Sequence, residues 1–72
     1  MARRDDTLVA IAEFGDRGVA EEAWSVLTDA GVAAAVLADP GPFGASPVFR
    51  VEVARRDAAQ AQRLIVGLVD RP

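Results

Sequence analysis

Apolar residues recur along this chain in two rhythms, and the switches between them mark out its elements. Thr7 to Phe14 (TLVAIAEF) is β-branched and apolar and runs into the turn residues Gly15-Asp16-Arg17-Gly18, which predicts a first strand. Its two faces are Leu8, Ala10, Ala12, Phe14 and Val9, Ile11, Glu13. Both are largely apolar, so periodicity leaves open which one meets the core. Ala20, Ala23, Trp24, Leu27 and Ala30 then follow at helical spacing, predicting a helix that ends near Ala30 with Trp24 on its buried stripe. Asp16 or Gly18 can cap its start; a cap at Gly18 puts Glu21 and Glu22 in the first turn, where the helix dipole favours acids. Gly31 stands where a left-handed C-cap is wanted.

Val32 to Ala38 (VAAAVLA) is short, apolar and bounded by Gly31 and Asp39-Pro40. Seven residues make a poor helix and an ordinary strand, so this reads as strand two. Asp39 to Pro47 carries three prolines and two glycines in nine residues and can only be loop. Val48 to Ala54 alternates cleanly. Phe49, Val51 and Val53 are expected to face the core, with Val48, Arg50 and Glu52 on the other side. After Arg55-Arg56, Asp57 is a good N-cap with Gln60 three residues on, and Ala61, Leu64, Ile65 and Leu68 form the stripe of a second helix. Residues 1–6 are expected to be a disordered, charged tail, leaving a single domain over residues 7–70.

A strand-helix-strand unit with a right-handed crossover makes strands one and two parallel. Strand three fits between them, antiparallel to both, with both helices on one face. The expected fold is therefore α+β: a ferredoxin-like β-α-β-β-α unit with a three-stranded sheet in the order 1-3-2. Strand one keeps a free edge where a fourth strand would pair, and the uncovered sheet face carries small apolar residues. Either feature can recruit a neighbour, so a homodimer through the sheet face or the strand-one edge is expected.

Composition narrows the chemistry. The 72 residues hold no cysteine and no histidine, which removes disulfides, thiolate ligands, and the commonest metal ligand and general base. All eight cations are arginine, so there is no Schiff-base or phosphate-loop lysine. A net charge of −3 argues against a nucleic-acid partner. No apolar run approaches the ~20 residues that cross a bilayer, and no signal peptide is recognisable, so the expectation is a cytoplasmic protein without membrane, metal or cofactor. Ser25 and Ser46 have no base to activate them. The paired carboxylates Asp5/Asp6 and Glu21/Glu22 are sequence neighbours and do not converge on a pocket. The chain is accordingly read as not an enzyme.

Two surface features remain. Arg50, Arg55 and Arg56 could form a weak anion-binding site beside the second helix's N-terminus, or be solvated turn residues balanced by Asp57 and Glu52. Phe43, in the Pro/Gly loop, either folds back over the core edge or contacts a partner. As an interface, the loop would present Phe43 with Pro40, Pro42 and Gly44, since aromatics in stiff loops make good anchors.

Several runs together resemble a known family. These are Phe14-Gly15-Asp16, Ala20-Glu21-Glu22-Ala23 through Leu27, Ala30-Gly31-Val32-Ala33-Ala34, Val51-Glu52-Val53, and Asp57-Ala58-Ala59-Gln60-Ala61 leading to Leu64-Ile65. They resemble a family of small prokaryotic signal-transducing domains of unknown function whose fold is similar to the PII nitrogen regulators. Other ferredoxin-like modules, including amino-acid-binding ACT-type domains, share much of that rhythm. PII proteins signal through a long loop between strands two and three; Asp39 to Pro47 takes that place but is much shorter, and the chain has no tyrosine to modify. The resemblance implies a regulatory or adaptor module that contacts a protein partner. The alternative is a sensor binding a small metabolite or anion at a subunit interface.

Overall fold

The computed structural model describes residues 7–42 and 46–69. The expected tail at residues 1–6, the end of the chain from residue 70, and Phe43 and Gly44 lie outside the described residues. The elements run β1 (Leu8–Phe14), α1 (Arg17–Asp29), β2 (Ala34–Asp39), β3 (Val48–Ala54) and α2 (Ala58–Val69), with a 3-10 turn at Arg55–Asp57 leading into α2. The strands form one antiparallel sheet in the order β1-β3-β2. β1 and β2 are therefore parallel to each other and occupy its two edges. Both helices pack on one face of this α+β unit and against each other.

Local chemistry explains each boundary. Asp16 is extended, with φ −121° and ψ 124°, and its carboxylate accepts the Val19 N–H at 3.2 Å. This decides between the two possible caps. Glu21 and Glu22 consequently lie beyond the first turn, which carries no acid. Gly18 is inside the helix, where a Cβ would stand 3.1 Å from the capping Asp16 oxygen. The far end closes as a Schellman motif. Gly31 takes φ +86°, its N–H reaches the Thr28 carbonyl at 3.0 Å, and the Val32 N–H reaches that of Leu27 at 2.9 Å. That motif seats Val32 in the core beside Leu27, so the second strand starts at Ala34 and extends to Asp39 rather than running from Val32 to Ala38. Asp57 is likewise no N-cap: it is the last residue of the 3-10 turn, and the chain continues helically into Ala58.

β1 answers the question its periodicity left open. Its register against β3 slips between Ala10 and Ala12, so Ile11 is the extra residue of a β-bulge. Val9 lies opposite Val53 before the bulge; Ala12 and Phe14 lie opposite Val51 and Phe49 after it. Ile11, Ala12 and Phe14 all pack on the core. Neither parity is the buried one throughout, because the bulge exchanges them midway.

The core is small and alanine-rich: Ala20, Ala23 and Leu27 from α1, Val32 from the helix stop after it, Val51 and Val53 from β3, and Ala61 and Ile65 from α2. Fully buried alanines at the helix contacts let both backbones approach the sheet closely. The expected inward set of β3 is observed, with Val51 and Val53 fully buried and Phe49 packed at the margin. Arg17 lies over the Phe49 ring, 5.8 Å from its centroid, and covers that end of the core. Three stripe assignments need correction. Ala30 is exposed beside the helix stop. Leu64 is 38% exposed, because α2 turns Ala58, Ala61, Ile65 and Leu68 inward instead. Trp24 is 43% exposed and stands at the sheet's flank, where its indole N–H donates to the Ala34 carbonyl at 3.0 Å. An indole needs a partner for its N–H, and the strand edge supplies one that the core cannot.

Candidate interaction surface

The strand alternation that buries Val51 and Val53 leaves the opposite face of the sheet without helices over it. Cross-strand register sets its composition. Arg50 lies between Glu13 of β1 and Leu37 of β2, Glu52 between Ala10 and Ala35, Val48 beside Asp39, and Ala54 beside Leu8. The centre is polar. The Arg50 guanidinium meets Asp39 through Nη1 at 2.7 Å and Glu52 through Nε at 2.9 Å. The Nε–H is shut off from solvent and forms no well-aligned hydrogen bond, so the contact with Glu52 is ionic rather than a directed hydrogen bond. Glu13 lies directly across on β1 and adds an exposed carboxylate to the same face without ion-pairing with Arg50. The periphery is apolar: Leu8, Leu37 and Val48 are 54%, 40% and 36% exposed.

This face gathers residues the sequence had placed apart. Arg50 was grouped with Arg55 and Arg56 as an anion site. In the fold, Arg50 points into its own carboxylate cluster at mid-sheet, while Arg55 and Arg56 sit exposed in the 3-10 turn. Five residues of strand separate Arg50 from Arg55, about 16 Å at ~3.3 Å per residue. Of the loop residues, Pro40 and Pro42 are exposed, whereas Phe43 and Gly44 lie outside the described residues. The loop leaves β2 at Asp39 and enters β3 at Val48, so both its anchor points belong to the open face. Glu13 and Asp39 were not anticipated here. The clean alternation of Val48 to Ala54 was the available signal: it already put Arg50 and Glu52 on the uncovered side, where cross-strand neighbours follow.

Among the described residues, two shallow depressions stand out on the helical side. One, of about 440 Å³, is lined by Glu21, Trp24, Ser25 and Val36 along the flank between α1 and β2. The other, of about 190 Å³, is lined by Ile11, Gln62, Ile65 and Val66. Among the described residues no three His, Cys, Asp or Glu side chains are placed to hold a metal ion, and no helix is long and apolar enough to cross a membrane.

No protein-family model matches this sequence, and neither a curated protein nor a solved structure gives a significant match.

Proposed function

We propose that this chain is a non-enzymatic adaptor or regulatory module, a ferredoxin-like unit lacking its last strand that works in signalling by laying its open sheet face against a partner protein. One observation carries the reading: an uncovered face with exposed Leu8, Leu37 and Val48 around the Arg50 guanidinium and its two carboxylates, Asp39 and Glu52, with the exposed Glu13 across from it on β1. Apolar side chains at the margin supply area to bury, and the central charges discriminate among partners. The carboxylate surplus favours a partner that brings a basic side chain to the centre. The loop carrying Pro40, Pro42, Phe43 and Gly44 joins this face at Asp39 and Val48 and extends the contact. The sequence resemblance to signal-transducing domains points the same way.

The test is affinity capture from the native host with the wild-type chain and with Leu8→Glu, which charges the margin without touching the core. The reading expects a stoichiometric protein that binds the wild type and is lost with Leu8→Glu, and that is weakened by Phe43→Ala at unchanged stability. A wild-type preparation that returns no protein, or a partner indifferent to Leu8→Glu, overturns it.

A further inference from the structure

Backbone hydrogen bonding identifies which sheet edge is open to pairing. The Arg55 N–H donates to the Thr7 carbonyl at 2.8 Å, so Thr7 and Arg55 are a hydrogen-bonded pair. Such pairs alternate along an antiparallel ladder, which makes Val9 and Val53 the next one. The N–H and C=O of Val53 therefore point to β1. Its pair with Ala34 on the other side is a non-hydrogen-bonded one, and the N–H and C=O of Ala34 point away from the sheet. The same holds two and four residues on, at Val36 and Ala38. The Trp24 indole bonded to the Ala34 carbonyl agrees with this direction. β2 thus presents a straight edge free of lysine and proline, and its single charge, Asp39, is drawn onto Arg50. β1, by contrast, is bulged at Ile11 and carries exposed Glu13, two features that blunt an edge.

We propose that two copies of the chain pair antiparallel through β2, Leu37 against Leu37 on the two-fold axis, forming one six-stranded sheet. The register follows from self-complementarity. Val36 faces the partner's Ala38 and exchanges two hydrogen bonds with it, and the reciprocal pair does the same. Ala34 faces the partner's Pro40. Its N–H donates to the Pro40 carbonyl; Pro40 has no N–H to return, and the Ala34 carbonyl already accepts from Trp24. The donor that proline lacks is the one the indole replaces. Sliding by one pair breaks the match. With Val36 against Val36, the amide of the partner's Ala38 competes with Trp24 for the Ala34 carbonyl. With Ala38 against Ala38, the Val36 carbonyl meets Pro40 and goes unpaired. On the open face, Leu37 loses its exposure to its symmetry mate. On the helical side, the Pro40 ring of the partner reaches the groove lined by Trp24 and Val36. This association uses the sheet edge and does not depend on the partner-docking reading of the sheet face.

Light scattering and hydrogen exchange test it directly. The wild type is expected at twice 7.6 kDa, with the Val36 and Ala38 amides exchanging about tenfold more slowly above the dissociation midpoint than below it. Ala38→Pro removes an outward N–H at an exposed position without costing a bond to β3, and should give a folded monomer. Leu37→Arg sets two guanidiniums against each other and should do the same if Ala38→Pro fails to fold. Trp24→Phe should weaken the dimer about tenfold by leaving the Ala34 carbonyl without a donor. Leu8→Glu should leave it intact. A wild type monomeric at several hundred micromolar overturns the proposal. So does a folded dimeric Ala38→Pro, or a dimer dissociated by Leu8→Glu and not by Ala38→Pro; either result leaves partner capture to be judged separately.

Discussion

Truncating Ile65 and Leu64 in turn tests the phase of α2. The two residues are adjacent and both aliphatic, yet Ile65 is 1% exposed and Leu64 is 38% exposed. Ile65→Ala deletes three carbons from a sealed site, worth ~2.4 kcal/mol at ~0.8 per carbon. The cavity left among Leu27, Val51 and Val53 adds to this, for a total of about 3–4 kcal/mol. A chain of 72 residues is held by roughly 4–11 kcal/mol at ~0.05–0.15 per residue, so this single change removes a large share of its stability. Leu64→Ala gives up only part of its burial, and alanine's helix propensity returns a little, so its cost stays under about 1 kcal/mol. Urea denaturation followed by far-UV circular dichroism, at one fixed protein concentration so that self-association does not move the midpoint, measures both. Thermal melts should separate by roughly 10–25 °C, with Ile65→Ala the lower. Equal losses, or a larger loss for Leu64→Ala, would mean that α2 is rotated about its axis and that the inward set Ala58, Ala61, Ile65 and Leu68 is wrong.

Asp16→Ala should cost about 1 kcal/mol by orphaning the Val19 N–H, and Asp16→Asn should recover most of it in the same denaturation assay. Gly31→Ala should cost roughly 1–2 kcal/mol although nothing lies within 4 Å of the new Cβ, because the penalty is the positive φ alone; Gly31→Asn should be milder, which separates conformation from crowding. Arg50→Leu should destabilise the fold by leaving Asp39 and Glu52 without their shared cation, and added salt should narrow the gap from wild type in chemical denaturation. A salt-independent difference for Arg50→Leu would show that packing, not charge, holds the cluster.

Sequence legibility followed how local the determining interaction was. Strand three could be read to the residue, because alternation and two flanking turns act within one segment. The strand order was reachable from chirality and element count. What could not be read required another element to be in place. Ile11 bulges because β3 must be matched on both sides of it, and no pattern inside TLVAIAEF says where the slip falls. Val32 looks like strand but belongs to the helix stop, since its partner Leu27 is one turn back across Gly31. Trp24 has the spacing of a core residue; its indole N–H excludes it from an alanine-lined interior and sends it to the Ala34 carbonyl. The Arg50 cluster was invisible for the same reason: Asp39 comes beside Arg50 and Glu52 only once the register of the β2–β3 ladder is fixed.

In the proposed assembly, the open face and the free edge divide the work of recognition between them. A sheet uncovered on one side has to keep its exposed area from associating indiscriminately, and here the centre is charged while the apolar side chains stand at the margin. A flat apolar partner would have to strip the remaining water from Glu52 and Arg50 without replacing its interactions, which opposes the gain from burying Leu8 and Val48. On the proposed function, the face would reject unmatched surfaces and admit one that brings its own cation. The β2 edge offers no charge barrier of this kind. Its outward groups are backbone, and backbone pairing discriminates only through register and the side chains beside it. In the proposed dimer Trp24 and Pro40 supply that register, one adding a donor and the other withholding one at opposing positions of the two-fold pair. Edge pairing leaves both open faces of such a dimer on the same side of a single longer sheet, with each Arg50 cluster flanking the Leu37 seam. A partner that engages one face is then presented with an identical second site in fixed geometry, and binding at two such sites gains from effective concentration without any added contact.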